Sequence, residues 1–371
     1  MNGKGIRGMG FSPGRLPAGP GNSIADVPGV RVGHWTQKDE RHYTGLTVIL
    51  PREDIYLHKC TAAVHVINGY GKSAGLVQIE ELGQLETPIA LTNTLNVGKV
   101  SDALVQYTID CLQEQKKTVR SLNPVVGECN DSSLNEITDR TAGYEELKEA
   151  VKNASADFAQ GSVGAGTGMT CHDLKGGIGS ASRQIEIGGN IYTVGVLALC
   201  NHGVLEELTI CGDHVGHRIR EKLQSEGGAG EICTQEAGAE KAHTEDVGSC
   251  IIVVGTDLPV TDRQLKRMIR RSSAGLARCG SYFGHGSGDI AIGFTTAHDL
   301  AEEETRPVLT LEVLQEKQLE QAFLAVCEAT EESVLNALAE AEYVRRPDGT
   351  VRHALREFLK NHGNEGSADS F

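Results

Sequence analysis

The sequence predicts a layered α/β sandwich, and three observations carry that prediction. Over the first two-thirds of the chain, short apolar runs alternate with segments of helical periodicity. The run CIIVV (250–254) is apolar on both sides when read as a strand, so each of its faces must be covered. Glycine supplies 45 of the 371 residues, about twice the ordinary share. Most of it lies inside strand-like runs or at their ends.

Taken in order, GLTVILP (45–51), AAVHVING (62–69) and PIALTNTLNVG (88–98) read as strands. SAGLVQIEEL and VSDALVQYTIDCLQEQ repeat apolar residues every three or four positions and read as helices. GIGSASRQIEIGGNIYTVGVLALCNHG (177–203) reads as two strands joined at Gly188-Gly189-Asn190, a good hairpin turn. From 221 to 247 the chain is rich in Glu, Gly and Ala and predicts a long exposed connector. After CIIVV, TDRQLKRMIRRSSAGLARCG predicts one helix with Leu265, Met268, Ile269 and Leu276 on one face, Thr261 as N-cap and Gly280 at its end. A strand, GDIAIGFTTA, and two helices at about 311–328 and 330–344 close the fold.

The chain is 39% hydrophobic and 23% charged, enough for a sizeable core. A formal net charge of -15 argues against nucleic acid as a partner and disfavours anionic lipid, since phosphate binding draws on clustered Lys and Arg. The N-terminal residues hold no apolar stretch long enough for a signal h-region and no segment approaches the length of a bilayer span, so no membrane association is expected and the cytoplasm is the expected compartment. The ten cysteines form no C-x-x-C pair and read as small buried hydrophobes rather than disulfide partners.

Among candidate motifs, NGYGKSAG (68–75) lacks the first glycine of a phosphate loop, Val66 standing there, and GSVGAGTGM (161–169) lacks the dinucleotide spacing. CGDHVGHRIR offers Cys211, His214 and His217 at three-residue intervals, which on a helix would share one side and read as a metal set. Gly248-Ser249, between a polar run and a buried strand, is a plain turn when read alone. It is also where a hydroxyl can attack the preceding carbonyl, because glycine permits strained backbone and close approach. An ester would form, water would cleave it, and Ser249 would become a new N-terminus whose free α-amine can share in general-base work. In GSYFGHGSGDIAIGF (280–294), Ser287 and Asp289 lie two apart at the head of a strand and share a face. Asn201, closing IYTVGVLALC, could donate its carboxamide N–H to an oxyanion.

Together these pieces resemble the DmpA-like aminopeptidases of peptidase family S58, which include L-aminopeptidase/D-Ala-esterases and β-aminopeptidases. The resemblance runs through NSIADVPGVRVGH, GLTVILP, PVVGECNDSSLNEI, GTGMTCHDLKGGIGSASR, YTVGVLALCNHG, GSCIIVVGTDLPV, GSGDIAIGFTTA and EATEESVLNAL. It implies a four-layer αββα sandwich like that of N-terminal-nucleophile hydrolases, with the connectivity shared by ornithine acetyltransferases. It also implies self-cleavage between Gly248 and Ser249, dividing a single domain (1–371) into chains 1–248 and 249–371 that stay together.

By the same resemblance Ser249 is the nucleophile of both cleavage and turnover, Ser287 and Asp289 complete a Ser-Ser-acid set, and Asn201 serves the oxyanion. Glu128 would hold the substrate's ammonium. Asn130 stands where relatives often carry tyrosine, Cys250 where an aliphatic residue is usual, and Asp289 where some members have glutamate.

The expected protein is a self-processing serine aminopeptidase that releases N-terminal residues from short peptides, amides or esters. It would need no metal or organic cofactor and form a homo-oligomer, with a tetramer of processed heterodimers among the implied forms. The competing readings are a pantetheine-like amidase or acyltransferase on the same fold, a metallohydrolase using Cys211, His214 and His217, and a non-catalytic scaffold.

Overall fold

The computed structural model describes residues 4–225, 246, 248–302 and 305–359. In chain order the helix α1 (Gly5–Gly8) precedes strands β1 (Arg31–Lys38), β2 (Tyr43–Leu50) and β3 (His58–Gly69), helix α2 (Leu76–Leu82), and strands β4 (Gln84–Leu85) and β5 (Ile89–Asn93). Helix α3 (Val97–Glu114), strand β6 (Val125–Cys129) and helix α4 (Tyr144–Lys152) follow, then the short pair β7 (Thr170–Cys171) and β8 (Leu174–Lys175). The long hairpin β9 (Gly177–Ile187) and β10 (Asn190–Asn201) turns through Gly188 and Gly189, both at positive φ, as its Gly-Gly-Asn sequence requires. After it come β11 (Thr209–Ile210), β12 (Asp213–His214), α5 (Val215–Ser225), β13 (Ser249–Thr256), α6 (Asp262–Ile269), α7 (Ser272–Arg278), β14 (Gly288–Ala301), α8 (Leu319–Ala339), β15 (Val344–Arg345) and β16 (Val351–Arg352).

Two large sheets face each other. The first has the order β1-β2-β5-β6 and the second β4-β3-β14-β13-β10-β9. Ile49, Leu91, Val125 and Cys129 of the first sheet pack between the sheets against Leu197, Leu199, Ile251, Val253, Ile290 and Ile292 of the second. The outer face of the first sheet packs through Leu46, Val48, Ala90 and Val126 on α3 and α4. The outer face of the second packs through Cys200, Cys250, Ile252 and Val254 against the layer of α5 to α8. The fold is thus the αββα sandwich. β13 earns its two-sided apolar pattern because Ile251 and Val253 meet the other sheet while Cys250, Ile252 and Val254 meet helices.

Four expectations need correction. The segment 261–280 forms two helices, because the Ser272 and Ser273 hydroxyls bond back to the carbonyls of Ile269 and Arg270 and compete with the helical ladder. Thr261 does cap the first of them, in a capping box with Gln264. The two closing helices are one, α8, and residues 311–315 are not helical. Its polar stretch Glu328–Ser333 is not a break, because it is buried and paired: Arg183, with no exposed side-chain surface, reaches Glu328 at 3.1 Å and Glu332 at 2.7 Å, and Arg278 meets Glu331 at 3.0 Å.

The exposed connector fails at Asp246, which is buried; α5 also continues to Ser225, and residues 226–245 and 247 lie outside the described residues. Finally, PIALTNTLNVG is a strand only as far as Asn93. There the Asn93 side chain accepts from the amide of Asn96 and turns the chain towards α3.

The Arg183 cluster makes a stability prediction. Glu332 also takes Arg7 at 2.5 Å and Asn22 at 2.6 Å, so Glu332→Ala strands a buried guanidinium. The expected loss is about 3–5 kcal/mol in urea unfolding. A loss within the error of the measurement would show that Glu328 alone satisfies Arg183.

Candidate active site

Ser249 opens β13, which lies between β10 and β14 in the middle of the second sheet. Its register partner on β10 is Asn201 and on β14 is Gly288. Register partners project to the same face, so Ser249, Asn201 and the bare Cα of Gly288 all look between the two sheets, as do Ile251 and Val253 further along. A Cβ on Gly288 would stand 3.1 Å from Ser249 Oγ and 2.7 Å from the amide nitrogen of Gly71, so only glycine leaves the hydroxyl its space.

The bond before Ser249 is held tightly. Gly248 has φ +151°, and a Cβ there would lie 2.0 Å from the carbonyl oxygen of Asn201. Its carbonyl oxygen accepts the amide of Gly288 at 2.9 Å. A backbone donor therefore already sits on the carbonyl next to the serine hydroxyl, which is the placement an oxyanion needs. The side-chain Oδ1 of Asn201 accepts the Thr170 amide at 2.9 Å, which leaves its NH2 as the donor end.

Upstream of Asp246 the chain leaves the described residues, but Asp246 itself anchors the stretch before the serine. Its carboxylate takes the Gly203 amide at 2.8 Å, the Ser281 hydroxyl at 3.1 Å and the Phe283 amide at 3.1 Å.

Glu128 is buried at the end of β6, where its carboxylate accepts the Lys72 amide at 2.7 Å and the Thr94 hydroxyl. The chain leaving β3 links it to the serine: a Cβ on Gly71 would lie 3.5 Å from Glu128 Oε1 and 3.6 Å from the Gly288 Cα. Thus Glu128, Gly71, Gly288 and Ser249 line one continuous corner.

Asn130 is exposed, and its Oδ1 accepts the Ser132 amide at 2.9 Å in a local turn, with no contact to Glu128 or Ser249 among the described hydrogen bonds. Ser287 and Asp289 are fully buried at the head of β14. Asp289 pairs in register with Cys250, one residue past Ser249, so its side chain leaves the face opposite to the serine hydroxyl. Burial pushes the Asp289 carboxyl up to about 7, with Asp246 adding to the rise and the Ser287 hydroxyl and Cys250 amide opposing it. Neither Asp289 oxygen nor the Ser287 hydroxyl makes a hydrogen bond of normal geometry among the described residues. These buried polar groups lie next to the backbone of the Gly248–Ser249 pair.

The metal set read from spacing is not assembled. Cys211 and His214 lie on the β11–β12 hairpin, whose turn uses Cys211 and Gly212 at positive φ, and only His217 is on α5. All three are exposed.

Sequence reasoning missed Gly288 as a donor, because backbone amides carry no residue signature. It also missed Lys175, whose fully buried ammonium donates to the carbonyls of Gly166, Met169 and Gly176 at 3.1, 2.9 and 2.7 Å. Burial lowers its pKa to about 7. It pins the glycine-rich turn that ends at Thr170, whose amide orients Asn201. A lone lysine in the sequence DLKGG (173–177) gives no hint of this.

Comparison with known proteins agrees with the geometry. Peptidase family S58 matches residues 22–352. The β-peptidyl aminopeptidase BapA of Sphingosinicella microcystinivorans is 36% identical over 360 residues, covering 93% of this chain and 89% of that protein. The structure of a Burkholderia sp. β-aminopeptidase superposes with a TM-score of 0.83 at 35% identity, over 95% of each chain. That of the L-aminopeptidase D-Ala-esterase/amidase of Ochrobactrum anthropi, a prototype for the serine aminopeptidases with a variant Ntn-hydrolase fold, gives 0.84 at 32% identity, over 95% of this chain and 96% of that one. No helix among the described residues is long and apolar enough to cross a membrane. With this fold and these relatives, the chain belongs to peptidase family S58 and is a serine aminopeptidase.

Proposed function

We propose that this aminopeptidase makes its own nucleophile by cutting between Gly248 and Ser249. Ser249 Oγ attacks the Gly248 carbonyl carbon, the Gly288 amide takes the developing oxyanion, and the C–N bond breaks to leave an ester. The hydroxyl proton passes to the departing nitrogen, which becomes the α-amine of Ser249, and water then hydrolyses the ester to the Gly248 carboxylate and the free Ser249 hydroxyl. The observation that carries this reading is the Gly288 N–H on the Gly248 carbonyl at 2.9 Å, at a residue where no side chain fits. The buried Asp289 and Ser287 then have a use: they supply negative charge and polarity beside the new amino terminus, and in turnover the freed amine takes the proton of the attacking hydroxyl.

In turnover the substrate's scissile carbonyl replaces that of Gly248, Asn201 Nδ2 and the Gly288 amide hold its oxyanion, and an acyl-enzyme forms on Ser249. Glu128 receives the substrate's free ammonium. The proposed substrates are short peptides, amides and esters with a free amino terminus. The names of the relatives favour N-terminal β-amino residues, L-residues and D-alanine esters or amides.

The ammonium contact is tested by Glu128→Gln, which keeps the size and the acceptor for the Lys72 amide. A buried charge-assisted contact of this kind is worth about 1.5–3 kcal/mol. We therefore expect kcat/KM for a free-amine p-nitroanilide to fall by roughly 10–100-fold, with no fall for the N-acetylated analogue. Equal losses on both substrates would remove Glu128 from ammonium recognition.

A further inference from the structure

Behind the Ser249–Asn201 pair, on the helix-facing side of the sheet, five metal-ligating side chains converge. Cys171, His172, Cys200 and Cys250 have no exposed surface and His202 has 1%. They form two triads that share His202, Cys171–His172–His202 and Cys200–His202–Cys250, in each of which the ligand atoms lie within 4.8 Å of one another. Cys200 and Cys250 face each other directly in the β10–β13 register. The Cys200 thiol interacts with those of both Cys171 and Cys250, which joins the two triads.

The imidazoles supply an independent observation. Both ring nitrogens of His202 and Nε2 of His172 are buried and make no hydrogen bond among the described residues. His172 Nδ1 meets the Val204 carbonyl at 3.0 Å, which presents Nε2 as a lone pair, the outer contact that usually orients a metal-bound histidine. The cluster is held firmly: the His172 amide donates to the His202 carbonyl at 2.7 Å, and Gly203, at φ +90°, wraps the His172 ring so closely that a Cβ would stand 2.5 Å from it.

We propose that this cluster is a closed structural site for Zn2+, with Cys200, Cys250 and His202 as ligands and the fourth drawn from the Cys171–His172 corner. The donors are thiol and imidazole only, a set that selects zinc over the hard, oxygen-seeking Mg2+ and Ca2+. As each Zn–S bond forms, the thiol releases its proton to solvent, so no oxidant or reductant is needed. Zn–S bonds of about 2.3 Å require the thiols to draw in by less than about 1 Å. With all positions taken by protein, the ion has no opening for substrate, and the peptidase chemistry draws nothing from it. Its effect is mechanical: Cys250 follows Ser249, and Cys200 and His202 flank Asn201, so the ion ties β10 to β13 at the nucleophile and its oxyanion donor.

The test uses the full chain and its Ser249→Ala variant, so that the outcome does not depend on processing. Protein produced with Zn2+ in the medium should carry about one zinc per chain by elemental analysis. Folding with Co2+ instead should give the thiolate charge-transfer and intense d–d absorption of a tetrahedral sulfur site. His202→Phe keeps the ring packed on His172, which it meets edge-on at a centroid distance of 5.5 Å, but removes both nitrogens. It should fold, judged by circular dichroism, yet lose at least about 90% of the bound metal, whereas Cys327→Ser, remote from the cluster, should lose none. Absence of metal and of the Co2+ bands from the parent protein, or their full retention in His202→Phe, overturns the proposal.

Discussion

Ser249→Ala is expected to leave a single uncut chain of 371 residues and to lower kcat by at least about 10^4-fold. The size follows from the covalent role: with the hydroxyl gone there is no ester in self-cleavage and no acyl-enzyme in turnover, and only binding and oxyanion stabilisation remain. The fold should survive, because β13 is fixed by Ile251, Ile252, Val253 and Val254, all without exposed surface, and by ladders to β10 and β14 on either side. The variant should therefore match the parent in thermal midpoint to within a few degrees while failing both reactions. Normal hydrolysis by an uncut variant would remove Ser249 from the mechanism.

Asn201→Ala is expected to cost about 10^2–10^3-fold in kcat, or roughly 2.7–4 kcal/mol, with KM little changed, as for loss of one donor to a tetrahedral oxyanion. The loss should stop there, since the Gly288 amide remains on the other side of the carbonyl. Asn201→Asp separates donor from scaffold. It keeps an oxygen for the Thr170 amide, so stability should hold, but replaces the NH2 with a charge repelled by the oxyanion. Its activity should fall at least as far as that of the alanine variant. If Asn201→Asp were nearly as active as the parent, Asn201 would be only a clamp on Thr170.

The layered architecture was legible in the sequence because its decisive strand is short, continuous and apolar on both faces, a pattern that admits few arrangements. The Gly-Gly-Asn hairpin and the Thr261 cap were legible for local reasons that need no tertiary context. The single helix α8 was not. Its Glu-Ala-Thr-Glu-Glu-Ser stretch reads as a solvated break until Arg183, distant in sequence, arrives to pair with it.

The site was legible in parts. Asn201 was placed across from Ser249 by a strand register that spacing alone does not give. Ser287 and Asp289 do share a strand head, but register sends Asp289 to the face of Cys250 rather than to that of the serine hydroxyl. The backbone group that the Asp289 carboxyl meets is the Cys250 amide, one residue past Ser249. Asn130 is occupied by its own turn and leaves Glu128 to the Gly71 corner. The donors to the Gly248 carbonyl and to Asn201 are main-chain amides, those of Gly288 and Thr170. These positions depend on the backbone path, to which sequence motifs are blind.

The central claim is that the Gly248–Ser249 bond is the one the protein cuts and that the freed Ser249 is the nucleophile. Intact mass of the purified, active protein under denaturing conditions tests it most directly. The account predicts two chains, residues 1–248 and 249–371, the smaller beginning at Ser249 and gaining the mass of one acyl group there during turnover of a slowly deacylating ester. An active protein that stays in one piece, or whose smaller chain begins at another residue, would contradict it.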